Sequence, residues 1–152
     1  MVKIGLFIPT YNAGDKFEKI LDNIDLSVNI SNLNIRKVII DTFSKDNTVQ
    51  NAIDHNFEVY KIHKKEFTHG EVRRRAVEYL RDCDYILFMT QDVILHENSI
   101  KNIIEFIKNK PNMLVAYGRQ ISDSKETTIF EQRSRQFNYP LESITKSRKD
   151  IK

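Results

Sequence analysis

The chain has 152 residues, a net charge of +3, and a mix of 40% hydrophobic and 30% charged residues. This is room for one packed globular domain, and it excludes a disordered polyelectrolyte. The single cysteine, Cys83, excludes an internal disulfide and points to a reducing compartment.

Val2–Ile8 is the first apolar run. Pro9-Thr10-Tyr11-Asn12 follows it too soon for a secretory leader. Asp15 is expected to cap a helix, with Glu18 three residues on and Phe17, Ile20, Leu21 and Ile24 as its apolar stripe. Val38-Ile39-Ile40 is the second run, and a short helix should start near Asn47 or Thr48 with Val49, Ala52 and Ile53 facing in. Phe57–Ile62 is the third run. Thr68 and Glu71 predict a capping box for a helix with Val72, Ala76, Tyr79 and Leu80 inside. Tyr85–Met89 is the fourth run. Asn98 or Ser99 should cap a helix carrying Ile100, Ile103, Ile104 and Ile107, ended by Pro111. Met113–Tyr117 is the fifth run. Residues 123–137 are expected to form a last helix with Ile129, Phe130, Arg133 and Phe137 on one side, and Lys146–Lys152 a basic, frayed tail.

Strands alternating with helices at this spacing predict an α/β fold, a largely parallel sheet with helices on both faces. No apolar run approaches the ~18 residues of a membrane span. Gly5, Gly14, Gly70 and Gly118 lie too far apart for a dinucleotide-binding or Walker A loop. Residues 101–152 carry 11 Lys and Arg against 6 Asp and Glu, a basic end suited to an anionic ligand or a membrane surface.

Ligands of open parallel sheets bind beyond the carboxyl ends of the strands. The segments expected there are Pro9-Thr10-Tyr11-Asn12, Asp41 with Ser44-Lys45-Asp46, His63–Gly70, Thr90-Gln91-Asp92 and Gly118-Arg119-Gln120. Five such loops converging on one rim suit a nucleoside diphosphate held with a divalent cation. Asp41 can accept from a ribose hydroxyl or a base N–H. Asp92 offers one hard oxygen ligand to Mg²⁺ or Mn²⁺. Arg73 and the helix N-terminus near Gly70 can offset phosphate charge.

Six pieces in this order carry a resemblance to a known family. They are Ile8-Pro9-Thr10-Tyr11-Asn12; Val38-Ile39-Ile40-Asp41 with Ser44-Lys45-Asp46-Asn47-Thr48; and Phe67-Thr68-His69-Gly70 with Arg73. Then come Phe88-Met89-Thr90-Gln91-Asp92, Tyr117-Gly118-Arg119-Gln120 and Phe137-Asn138-Tyr139-Pro140. Together they resemble the family 2 glycosyltransferases, in their rhamnosyltransferase-like branch. The resemblance implies a GT-A (Rossmann-like) fold, truncated before the acceptor-binding half, with residues 1–140 as the nucleotide-sugar-binding part and 141–152 as the tail. It implies inverting transfer of a sugar from a nucleotide diphospho-sugar, such as dTDP-rhamnose or a UDP-sugar, to a glycan or lipid-linked acceptor in cell-envelope polysaccharide biosynthesis. Carried over, Pro9, Thr10, Tyr11, Asn12, Asp41, His69, Arg73 and Gln91 bind the nucleotide and Asp92 binds the metal. The general base is expected beyond Lys152. Thr90 stands where the first carboxylate of the family's D-x-D belongs, Glu71 replaces a usual glycine and Arg74 a usual asparagine. The expected setting is the cytoplasm, peripheral at the inner face of the membrane, with self-association through the exposed truncated face.

Plainer readings stand beside these. Asp41 and Asp92 also suit turns, Tyr11 and Asn12 the turn into the first helix, and His69 a helix entry. Arg73-Arg74-Arg75 are consecutive on a helix and cannot all reach one rim. His55, His63 and His96 show no metal-ligand spacing with Cys83. No nucleic-acid recognition motif is visible. A non-catalytic nucleotide-sugar-binding or assembly module is the alternative to an enzyme.

Overall fold

The computed structural model describes residues 2–110, 112–122 and 127–147. The chain divides into two compact units, Met1–Asn109 and Lys110–Lys152.

The first unit is a four-stranded sheet flanked by helices. In chain order it contains β1 (Ile4–Thr10), α1 (Phe17–Ser31), β2 (Ile35–Asp41), α2 (Thr48–Asp54), β3 (Glu58–Lys61), a 3₁₀ turn (Lys64–Glu66), α3 (His69–Tyr79), β4 (Tyr85–Phe88) and α4 (Ser99–Lys108). The strand order is β3-β2-β1-β4, and every pairing is parallel. β1 and β2 lie in the middle, covered on both faces, which is why both read as continuous apolar runs rather than alternating ones. β2 begins three residues before the apolar triplet, because Ile35 pairs with Ile4 and brings both strands into full register.

Each face has its own core. Ile4, Leu6, Ile8, Ile35 and Ile39 pack with Phe17, Ile20, Leu21 and Ile24 of α1, Ala52 of α2, and Ile100 and Ile104 of α4. On the opposite face Phe7, Val38, Ile40 and Ile62 pack with Val72, Ala76 and Leu80 of α3 and its end. Gly5 is required by this packing: a Cβ there would lie 2.7 Å from a methyl of Leu80, itself fully buried.

Several local expectations change. Asp15 does not cap α1. The helix is entered through a turn at Gly14, which has φ 75° and accepts from the Phe17 N–H at 3.1 Å. Thr68 caps α3 by accepting from the Glu71 N–H, but the Glu71 carboxylate turns to Arg74 and Arg75 instead of closing the box. Ile53 is half exposed rather than facing in.

In the second unit the fifth run forms no strand among the described residues. Leu114 and Val115 are 96% and 77% exposed. An apolar run becomes a strand only where a neighbour offers ladder hydrogen bonds, and no described segment of this unit does so. Its helix α5 (Ile129–Asn138) has a full capping box between Thr128 and Glu131. Ile129, Phe130 and Phe137, expected on one side of it, are all exposed. Pro111, the start of the expected last helix at 123–126, and residues 148–152 of the basic tail lie outside the described residues.

Candidate functional site

The chain runs β1, β2, β3 outward in one direction, then returns to place β4 on the other side of β1. The order therefore reverses at β1, and the crevice beyond the carboxyl ends of β1 and its neighbours is where such sheets bind ligands. Four of the five expected loops leave the sheet there. The fifth, Gly118-Arg119-Gln120, follows no strand. Its side chains serve the second unit, with Arg119 Nε donating to the Tyr139 carbonyl and Gln120 accepting from Arg135.

The loop after β1 is held by side chains from the other loops. Gln91 Oε1 accepts from the Tyr11 N–H at 2.8 Å while its amide nitrogen donates to the Tyr11 carbonyl. The N–H groups of Asn12, Ala13 and Gly14 donate to Ser44 Oγ, Thr48 Oγ1 and Asp46 Oδ2 at 2.8, 2.9 and 3.0 Å. Asn12, left-handed at φ 43°, accepts in return from the Lys45 N–H through Oδ1. Four consecutive backbone donors are thereby satisfied by residues up to 80 positions away, which fixes the loop without secondary structure. Burial works against the charge on Asp46, but the Thr48 hydroxyl and the Gly14 and Thr48 amides outweigh it. They hold the carboxyl below its usual range.

Asp41 is fully buried at the end of β2. Its Oδ1 accepts from Thr10 Oγ1 at 3.0 Å and from Ser44 Oγ at 2.5 Å, and its Oδ2 from the Ser44 N–H at 2.8 Å. The carboxylate thus joins the loops of β1 and β2. Pro9 lacks an N–H on the side of β1 facing β4, where the ladder has already ended at Phe7–Phe88 and the last bond runs from Met89 to the Phe7 carbonyl.

His69 opens α3, and Arg73 lies one turn on. His69 packs edge-on against Phe67, and Arg73 donates to the His69 carbonyl at 2.7 Å. The rest of the arginine triplet is ion-paired: Arg74 with Glu71 and Glu78, Arg75 with Glu71 and Glu66. Hydrogen bonds from Arg74 and Arg75 draw the Glu71 carboxyl down to about 2. Asp92 is exposed after β4 and accepts from Thr90 Oγ1 at 2.6 Å. The structure thus ties Thr10, Tyr11, Asn12, Asp41 and Gln91 into one network. His69, Arg73 and Asp92 share no hydrogen bond with it among the described residues. Ser44, Asp46 and Thr48 anchor that network, a role sequence reading did not give them although their spacing after Asp41 was visible.

Among the described residues no three His, Cys, Asp or Glu side chains group as a metal site. No helix among them is long and apolar enough to cross a membrane.

Residues 6–151 match the profile of glycosyl transferase family 2. The chain belongs to that family. It is 38% identical over 152 residues to the O-antigen chain rhamnosyltransferase RfbN of Salmonella typhimurium, covering 99% of this chain and 47% of that protein. It is 31% identical to the O-antigen chain rhamnosyltransferase WbaN of Salmonella anatum, covering all of this chain and again 47% of the relative. The chain therefore spans about half the length of these two relatives. Among solved structures, that of Staphylococcus aureus TarS 1-349 superposes with a TM-score of 0.60 at 21% identity, over 81% of this chain and 39% of that one. This likeness shows a shared α/β fold.

Proposed function

We propose that the rim built by the loops after β1, β2 and β4 seats the diphospho-nucleoside of a sugar donor, and that these residues are the donor-binding half of an inverting glycosyltransferase. The observation that carries this is the buried Asp41, whose carboxylate locks Thr10 and Ser44 together at the switch point while Gln91 clamps Tyr11 beside it. So much fixed polar structure at an exposed loop crossing is suited to presenting hydrogen-bonding groups to a ligand without reorganisation. Pro9, Thr10, Tyr11, Asn12, Asp41 and Gln91 shape the nucleoside pocket, with Asp41 acting through the groups it holds. His69 and Arg73, at the N-terminus of α3, face phosphate charge.

Asp92 fits a divalent cation that arrives with its diphosphate. It supplies one hard carboxylate oxygen, and Mg²⁺ or Mn²⁺ is commonly held by one or two carboxylates plus phosphates and water. A cation bound there would stabilise the leaving diphosphate as a Lewis acid.

The sugar we propose is rhamnose or a related hexose, passed to a glycan or lipid-linked acceptor; the names of the Salmonella relatives support this. Its setting is the cytoplasmic face of the membrane. The exposed apolar residues of the second unit favour a role completed by further polypeptide, and with it a non-catalytic binding module as the second reading.

Calorimetry with UDP and dTDP, with and without Mn²⁺, tests the donor site. Metal-assisted binding of at least one is expected, and binding of neither at millimolar metal overturns the reading. Asp92→Asn should weaken only the metal-dependent part. Transfer of radiolabelled sugar by these residues alone is expected to be negligible, because a positioned base contributes typically 10²–10⁴-fold and the carboxylates of the network, Asp41 and Asp46, are already taken up by protein donors. Robust turnover would place the base within this chain.

A further inference from the structure

Phe43 stands out in the donor rim. It is left-handed, at φ 55°, a conformation that bulky residues rarely adopt and glycine adopts freely. Its neighbours hold it there: the Thr42 N–H donates to the Thr10 carbonyl and the Ser44 N–H to Asp41. The ring is not hidden in the core. It is 48% exposed and lies flat on the His63 ring, centroids 4.8 Å apart and planes 20° apart.

His63 is anchored in turn. The N–H of Ile62 before it donates to the Asp41 carbonyl, and its own N–H donates to Glu66, which Arg75 holds from α3. The next residue, Lys64, places its ammonium 5.7 Å from the centroid of the Tyr11 ring, itself half exposed. Consecutive residues of one loop therefore reach the exposed rings of the other two. Beside Phe43, the Thr42 hydroxyl is buried and has no hydrogen-bond partner among the described residues. Buried polar side chains are normally satisfied, so an orphan here marks a place where a partner is missing.

Resting on the donor-site reading, we propose that the stacked Phe43–His63 pair is the platform on which the base of the nucleoside diphosphate lies. A flat, uncharged heteroaromatic ring is the chemistry such a pair recognises, because every base has a π-face. The left-handed backbone at Phe43 is what turns the ring outward onto His63 rather than into the sheet.

The test compares UDP and dTDP with inorganic pyrophosphate, all with Mn²⁺, by calorimetry on the wild type, Phe43→Gly and Phe43→Trp. Glycine relieves the left-handed conformation, so Phe43→Gly should fold at least as stably, read by its Tm. It is expected to bind the nucleotides about tenfold more weakly, the order of one lost base–aromatic stack. Pyrophosphate binding should be unchanged, and Phe43→Trp should keep nucleotide affinity near that of the wild type. Unchanged nucleotide affinity in Phe43→Gly, or an equal loss for pyrophosphate, overturns the platform and leaves the donor site standing. A wild type that binds pyrophosphate but no nucleotide overturns both the platform and the donor-site reading. A wild type that binds none of the three probes overturns both.

Discussion

Two helices of the same length show how the two units of this chain differ. α4 and α5 each have ten residues and an apolar side. α4 buries Ile100 and Ile104 against the core under β1. α5 buries nothing, and Ile129, Phe130 and Phe137 are 70%, 81% and 87% exposed. Among the described residues every buried apolar side chain falls between Ile4 and Ile104, while the second unit exposes nine large apolar side chains from Leu114 to Ile144. Periodicity makes a helix in both places. Among the described residues only the first unit has a sheet whose face receives it, so its stability comes from packing, whereas α5 relies on its cap.

The largest effect expected from this contrast is in the core. Phe7→Ala should destabilise the first unit by about 3–5 kcal/mol in urea titration, since the ring is 1% exposed between β2, β4 and α3. Phe130→Ala, an equally large truncation, should stay within about 0.5 kcal/mol. A comparable loss at both sites would mean that α5 is covered in solution.

Next comes Asp41→Ala, which strands three donors, the hydroxyls of Thr10 and Ser44 and the Ser44 N–H. A loss of about 2–3 kcal/mol is expected, with weaker nucleotide binding, because unmade buried hydrogen bonds cost more than made ones gain. Thr128→Ala removes the cap of α5 and should cost about 1 kcal/mol of local helix stability. It should appear in amide exchange of residues 129–138 and leave the urea midpoint of the first unit unmoved.

The smallest effect concerns pH. Glu71 has a folded pKa drawn from 4.5 to about 2 by Arg74 and Arg75. Its contribution is present above the unfolded value and is lost as pH falls from about 4.5 towards 2. Glu66, also lowered, acts in the same direction. Glu71→Gln should flatten the acid limb of Tm against pH, and added salt should shrink the difference because the pairs are solvent-exposed.

The strands of the first unit were legible because a parallel sheet buried on both faces needs unbroken apolar runs. Met113–Tyr117 is likewise apolar but has no partner strand among the described residues, and composition alone does not reveal that. The entry to α1 was misread because Asp15 is a good cap in isolation, while the turn at Gly14 makes a cap unnecessary. Thr10, Tyr11, Asn12, Asp41 and Gln91 stand in the motif order, and the structure ties them into one network. Ser44, Asp46 and Thr48 stand in the same motif order, but their hold on backbone amides 32 to 35 residues away was not visible in it. Nothing in the identity of Phe43 signals a left-handed backbone; only the bonds on either side of it do.

The most direct test of the donor site is a titration of the ¹⁵N-labelled chain with UDP or dTDP and Mg²⁺, followed by amide chemical shifts. The expected result is saturable shifts confined to residues 10–14, 41–48, 63–73 and 90–92, with residues 112–147 unmoved. Shifts centred on 112–147, or none at saturating nucleotide, would contradict the assignment of the donor site to the loops of the first unit.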